Sequence, residues 1–312
     1  MRDYRPRPPP EPKPYFWIPV REEKRNAIIS HENFTGLNGF LDLELRVLSD
    51  FLYAGSGSIL LDERDRAYYS FARRGDRIVI PAAGIKGAVR AIVEAISGSC
   101  VSQTAKKDNF YSSSGRCETG KGQESKASLC TACRLFGTTG YRGRAYFSDA
   151  ESKGDIRTQV IKIADLWPPQ QAIGRKFYQI KAFQRLDNRP EKNHRFLEVV
   201  PKDSVFSIRL YFENTNPAEM SLLIRAIGLP LKIGGAKPRC LGAAKFDIKV
   251  LMMAPTSGAG LFKSISKGGE SLPLKENLQK WFNDKSLLDE VAWMKFREEA
   301  KVRSDTCPRG MY

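Results

Sequence analysis

From Asn38 to Leu48 apolar and polar residues alternate, with Leu41, Leu43, Leu45 and Val47 on one side and Asp42, Glu44 and Arg46 on the other. A period of two with one apolar face predicts a long strand half covered by a core. A β-rich run at Arg77–Ile80 ends on Pro81, and from 82 to 97 the period changes. Ile85, Val89, Ile92, Val93 and Ile96 now recur at helical spacing, and Gly98 supplies a stop. Lys86 and Arg90 lie four apart and share a face of that helix. A short strand is expected over Arg144–Asp149, with Tyr146 and Phe147 facing opposite sides, and a longer one over Val205–Glu213. Pro217–Gly228 reads as a helix with proline in its first turn and glycine at its end. A basic glycine-rich loop (232–239), a strand (Leu241–Met253) and an amphipathic helical stretch from about Leu274 to Val302 complete the pattern.

This order describes an α+β chain with a ferredoxin-like, RRM-like βαββαβ core carrying insertions. Such cores underlie RNA-recognition modules, although a fold alone assigns no function. Two stretches interrupt the core. Residues 155–200 mix short strand-like pieces with many cations and read as a hairpin that leaves the core. Residues 98–129 lose periodicity and fill with Ser, Lys, Gly and Gln, and a structureless loop of that length needs something to hold it. Cys100, Cys117, Cys130 and Cys133 punctuate the stretch, the last two as a CxxC pair. Four thiols in a polar insertion suit a tetrahedral zinc site. The rival readings are two disulfides, disfavoured in a reducing cytosol, and a redox CxxC. Cys240 and Cys307 read as free thiols. The resulting division is a basic, proline-rich arm (1–33), a core domain (34–252) with a zinc insertion at 98–137 and the excursion at 155–200, and a C-terminal linker and helical extension (253–312).

Composition adds a partner. With 51 Lys and Arg against 35 Asp and Glu the net charge is +16, the footprint expected of a protein that meets a polyanion, usually nucleic acid. Cations recur beside aromatics and glycines in Tyr141-Arg-Gly-Arg144, Gly174-Arg-Lys-Phe-Tyr178 and Gly235-Ala-Lys-Pro-Arg239, which combines phosphate contacts with stacking surfaces. No apolar run reaches membrane-spanning length, and the first residues lack the apolar stretch of a secretory signal, so a cytoplasmic protein without membrane partners is expected. Asp62, Glu63 and Asp65, set between Arg64 and Arg66, are either metal-holding acids or a solvated, ion-paired loop. The two histidines, His31 and His194, form no nucleophile–base arrangement with a serine.

Five segments in order carry a family resemblance: Gly55-Ser-Gly57, Ile80-Pro-Ala-Ala-Gly-Ile-Lys-Gly-Ala-Val-Arg90, Leu135-Phe-Gly137, Gly143-Arg-Ala-Tyr-Phe-Ser-Asp-Ala150 and Gly234-Gly-Ala-Lys-Pro-Arg-Cys-Leu-Gly242. Over residues 34–252 the chain resembles the RAMP superfamily of CRISPR systems, and within it the backbone subunits of type III effector complexes. The resemblance implies an RRM-like palm, a projecting thumb hairpin at 155–200 and a zinc-bound insertion after the first helix. It further implies assembly with other effector subunits along a guide CRISPR RNA that pairs with single-stranded target RNA. Some such subunits cleave the target with a loop aspartate and Mg²⁺ or Mn²⁺, which maps here to Asp65, with Asp62 the other candidate. Ala82, Ala83 and Gly84 replace the family's usual Gly-Ser-Ser, removing hydroxyls while keeping backbone N–H groups. Lys86, Arg90, Lys237 and Arg239 are the expected guide-RNA phosphate contacts, with Arg142, Arg144, Arg175 and Lys176 as further ones. Two alternatives stay open: a structural subunit that binds RNA without cutting, and a stand-alone, metal-independent nuclease that processes guide precursor. The scarcity of histidine argues against the latter.

Overall fold

The computed structural model describes residues 13–101, 117, 128–166, 174–254, 270–271 and 273–308. The first part (1–12) of the expected proline-rich arm, most of the cysteine-bearing insertion, residues 167–173 of the excursion and residues 255–269 of the expected linker lie outside the described residues.

The chain enters through β1 (Tyr15–Ile18) and reaches β2 (Leu37–Val47), the alternating stretch, in which Leu41, Leu43, Leu45 and Val47 are buried while Asp42, Glu44 and Arg46 between them are not. A hairpin of β3 (Gly55–Leu61) and β4 (Ala67–Phe71) follows, then β5 (Arg77–Ile80) and α1 (Ala82–Ala95). After the insertion come α2 (Thr131–Phe136), β6 (Ala145–Phe147) and β7 (Ala150–Ser152). The excursion supplies β8 (Gln159–Ala164), β9 (Arg175–Tyr178) and β10 (His194–Pro201). The second half of the core is β11 (Val205–Thr215), α3 (Pro217–Ile227), β12 (Leu231–Lys232) and β13 (Ala243–Met253). The extension forms α4 (Leu274–Phe282), α5 (Glu290–Glu299) and β14 (Val302–Thr306).

The main sheet runs in the order β12–β13–β2–β11–β7–β5, with β6 also on β11, and its pairs are antiparallel. Leu41, Leu43 and Leu45 of β2 and Phe206, Ile208 and Leu210 of β11 share one apolar cluster with Ile85, Val89 and Ile92 of α1 and Leu222 and Leu223 of α3. Burying that many branched side chains, at roughly 1.5–3 kcal/mol each, is what holds the two helices on the sheet. A second sheet, β8–β10–β4–β3, stands beside the first, with β8 and β10 antiparallel from Gln159↔Val199 to Ala164↔His194.

Helix starts are set by tertiary acids. Pro81 precedes α1 without a side-chain cap of its own, and the Ala82 N–H donates to Asp149 Oδ1 at 2.8 Å. α3 begins with a capping box in which Asn216 and Glu219 satisfy one another's backbone N–H groups. Glu219 does more than cap. Fully buried, it accepts from Arg134 Nη2 and Arg144 Nη1, both at 3.0 Å, while Arg144 also donates to the Arg134 and Asn214 carbonyls. One carboxylate thereby fastens α2, β6 and α3.

The helical stretch expected from 274 to 302 contains two helices, because Asn283 closes α4, Asp284 turns the chain by accepting from Ser286, and Asp289 caps α5 through the Ala292 N–H. One expectation needs correcting: Cys240 and Cys307, read as free thiols, are joined in a disulfide. Parallel pairing of β14 with Ile180–Ala182 carries the chain end to the glycine-rich loop and sets the two Cα atoms 6.0 Å apart. β1 and α5 also meet on β9: β1 pairs with it antiparallel, and the Phe177 ring lies 5.7 Å from Phe16 and 4.8 Å from Phe296 of α5.

Glu219→Gln leaves two buried arginines short of a counter-charge and is expected to lower stability by about 3 kcal/mol, as for other broken buried pairs. Urea unfolding followed by circular dichroism measures it; a loss below ~1 kcal/mol would mean that the helices are held by packing alone.

Candidate metal centre and nucleic-acid interface

Three short elements and one insertion residue gather the cysteines. Cys100 follows the turn after α1, Cys130 ends a strand (Ser128–Cys130) paired with Arg25–Ala27, Cys133 lies in α2, and Cys117 comes from the insertion. All four are buried and unbridged, which removes the two-disulfide reading, and their sulfurs lie within 4.8 Å of one another. Cys100 Sγ is 3.5 Å from Cys133 Sγ and 3.6 Å from Cys130 Sγ. Zn–S bonds of about 2.3 Å in a tetrahedron put sulfurs roughly 3.8 Å apart, so this donor set could bind a metal such as zinc. Hydrogen bonds from the Cys100, Cys117 and Cys133 thiols draw the Cys130 thiol well below its usual range, a response of sulfurs gathered tightly enough to share protons.

Arg90, expected on an RNA phosphate, is engaged at this cluster. Its Nη2 lies 3.2 Å from Cys133 Sγ, its Nη1 donates to the Gly137 carbonyl and its Nε to Glu94, each at 2.8 Å. Glu94 is buried and also accepts from Arg175 Nη1 at 3.1 Å, while Arg175 Nη2 donates to the Ser99 and Cys100 carbonyls. Arg175 is therefore an internal strut between β9 and the cysteine knuckle, and not a surface cation. Arg144 is fully buried on Glu219. Arg239, 4% exposed, donates to the carbonyls of Ala164 and Asp165. These three residues are corrected as phosphate contacts, since burial and internal acceptors leave no guanidinium facing outward.

The other expected contacts do reach the surface. Lys86 is half-buried, its Nζ 5.9 Å from the Tyr146 ring, and burial followed by the Arg90 charge lowers its pKa. Exposed Arg142 makes a two-pronged pair with Glu213, both contacts 2.8 Å. Lys176 sits over the Tyr15 ring at 4.0 Å. Lys237 begins a 3₁₀ turn (Lys237–Arg239) whose flanking Ala236 and Cys240 both have positive φ. The loop before it lies against Tyr53: a Cβ on Gly234, at φ +77°, would fall 2.0 Å from the Tyr53 carbonyl oxygen.

The acidic candidates separate cleanly. Asp62 accepts from the Arg64 and Arg66 N–H groups at 2.9 and 3.0 Å and from Arg66 Nε at 2.8 Å. The backbone bond from Arg66, outweighing burial, helps hold its carboxyl below the usual range. Its role is to shape the turn. Asp65 stands exposed at the hairpin tip with φ +54°, and among the described residues its carboxylate makes no hydrogen bond or ion pair. Asp62, Glu63 and Asp65 do not converge as a metal site; the four cysteines are the sole such group among the described residues. His31 bonds Glu213 and the Arg142 carbonyl, and His194 the Lys192 carbonyl, so both are locally engaged.

Sequence reasoning missed the open face of the main sheet. There the Arg209 guanidinium lies 3.9 Å from the Phe40 ring centre and 5.8 Å from that of Tyr211, clamped by Asp42 at 2.6 and 3.0 Å. The period-two reading of β2 and β11 contained the signal, because these residues occupy the outward positions. Also missed was Glu198 on β10, which accepts from Arg73, the Phe71 N–H and Thr158.

The model of the RAMP superfamily matches residues 44–245, and the chain belongs to that superfamily. No curated protein matches it. Among the described residues no helix is long and apolar enough to cross a membrane.

Two tests follow from these contacts. Purified protein is expected to carry one tightly held metal ion that Cys130→Ser loses. Arg90→Met should weaken metal binding about 10- to 100-fold in chelator competition, as second-layer partners commonly do. Burial works to raise the Glu198 pKa, but Arg73, the Phe71 N–H and Thr158 hold it down at about 2. Its folded value lies below the unfolded value of about 4.3. The stabilisation it gives is thus full above that pH and lost as pH falls towards 2. Glu198→Gln should flatten the acid arm of the stability curve in that window; an unaltered acid arm would rule the site out as its source.

Proposed function

We propose that this chain is a CRISPR-associated, RNA-binding subunit of the backbone of a type III effector complex. The observation that carries the reading is the superfamily match over 44–245 on a chain of net charge +16. Its sheet order, with β13, β2, β11 and β7 adjacent and α1 and α3 on one face, supports a ferredoxin-like palm over residues 34–252. In this reading the insertion at 98–137 is a zinc knuckle, the thumb is built on the β8–β10 hairpin of 155–200, and the segment from 253 onward is an extension packed into the same core. Zinc would tie four chain segments together; Arg90 offsets thiolate charge and Arg175 carries that order to β9.

Guide RNA would run past Lys86, Arg142, Lys176 and Lys237, with other effector subunits along the same strand. Their contacts are sequence-independent, as a subunit that accepts any guide requires. Asp65 is the residue for target-RNA cleavage: an unpartnered carboxylate on a projecting tip can hold Mg²⁺ or Mn²⁺ against a phosphate. A non-cleaving scaffold is the second reading, favoured by the failure of neighbouring acids to converge on Asp65.

The reconstituted complex, given complementary RNA, is expected to make regular cuts with Mg²⁺ that EDTA and Asp65→Ala both abolish. Cuts that survive Asp65→Ala would unseat that residue, and no cutting by the native complex would establish the scaffold. Lys86→Ala should weaken RNA binding evenly across sequences and reduce the salt slope by about 1.

A further inference from the structure

The face of the main sheet turned away from α1 and α3 carries a row of large side chains in register. Met252 of β13 pairs with Phe40 of β2, Phe40 with Tyr211 of β11, and Tyr211 with Tyr146 of β6. Directly opposed residues of antiparallel strands share a face, so these side chains stand next to one another across the sheet. Tyr211 is 43% exposed, where a ring that served only the core would be covered. The Phe40 and Tyr211 ring centres are 6.1 Å apart with planes inclined at 57°, so the two rings do not stack on each other. Arg209 lies on the Phe40 ring, and its two-pronged contact with Asp42 fixes the plane of the guanidinium. Beside Arg209 the face dips into a depression of about 360 Å³ whose lining includes Ser148 and Ser207.

Charge indicates what such a row meets. At its β6 edge Lys86 and Arg142 approach the Tyr146 ring at 5.9 and 5.7 Å. Further along β2, Glu44 and the opposing Asp247 are met by Arg46, Lys153, Lys249 and Lys245, four cations for two acids. Aromatic rings flanked by surplus positive charge suit an unpaired nucleic-acid strand, whose bases take the π-faces while its phosphates take the cations.

We infer that the open sheet face is a base-stacking platform for an unpaired stretch of RNA. One base lies on Tyr211 and its neighbour on the Arg209 guanidinium, with Lys86 and Arg142 on the phosphates at the Tyr146 edge. Aromatic rings and guanidinium planes are the usual partners of splayed bases. The inference rests on the RNA-binding reading and adds to it a surface that holds bases as well as backbone. The ring spacing of 6.1 Å is wider than the rise of about 3.4 Å between stacked bases, so the bases must be drawn apart. An unpaired strand allows that and a duplex does not.

The full-length protein is titrated with a short labelled unpaired RNA, an abasic ribose-phosphate strand of equal length and a duplex of the same sequence, at several salt concentrations. The unpaired RNA should bind about tenfold more tightly than the abasic strand. Tyr211→Ala should remove most of that advantage and leave the salt slope unchanged, because no charge is lost. Tyr211→Phe should bind as the native protein does, and Arg209→Lys, which keeps the charge but not the plane, should weaken binding. Duplex binding should be indifferent to Tyr211→Ala. In the native protein, where no variant has to fold, a 4-thiouridine strand should photocross-link to the peptide that contains Tyr211. Equal binding of the abasic strand, native affinity in Tyr211→Ala, an equal loss for the duplex, or cross-links confined to other peptides would each overturn the platform. With Lys86→Ala still lowering the salt slope, those outcomes leave the RNA reading standing; a native protein that binds none of the strands overturns both.

Discussion

A single buried carboxylate sets the terms for the central part of this protein. Glu219 lies wholly out of water, and its two oxygens serve Arg134, Arg144 and the first turn of α3. A charge in that position survives only when paired and hydrogen-bonded on every side. Meeting that requirement fixes where α2 can sit, and with it the segment that brings Cys130 and Cys133 to Cys100. Glu94 repeats the device one layer out, between Arg90 and Arg175. The cysteine cluster, the sheet and the base of the excursion are thus joined by shared acids as much as by apolar packing.

The same device alters the meaning of the net charge. Part of the arginine that marks the chain as a polyanion binder is internal: Arg144, Arg175 and Arg239 are buried against carboxylates and carbonyls, and Arg134 and Arg225 are also buried. A guanidinium holds five donors in a fixed fork and is weakly hydrated, which suits it to such struts. Arg64, Arg74, Arg77 and Arg142 are among the arginines that stay exposed, while Lys162, Lys181 and Lys232 are buried, so the surface cations mix both residue types and are fewer than the composition alone suggests.

How far the residues alone disclosed the structure depended on range. β2, α1, β11 and α3 were legible because periodicity and caps act within one element: alternating leucines, Ile85 to Ile96 at helical spacing, and Asn216 with Pro217 at a helix start. The cysteine cluster was legible because thiols have few uses. The role of Arg144 was not, since it depends on an acid 75 residues away. Nor was the Cys240–Cys307 bridge, which relies on a chain end returning across the glycine loop. At the hairpin, the resemblance left Asp62 beside Asp65 as a candidate, whereas the turn separates them by giving Asp62 three donors to accept from.

The meeting of β1 and α5 on β9 has a consequence for cooperativity. Phe16 and Phe296 are far apart in the sequence, yet both rest on Phe177 and on each other. Removing any one of the three rings uncovers the other two, so β1, α5 and the base of the excursion loosen as one unit and not element by element.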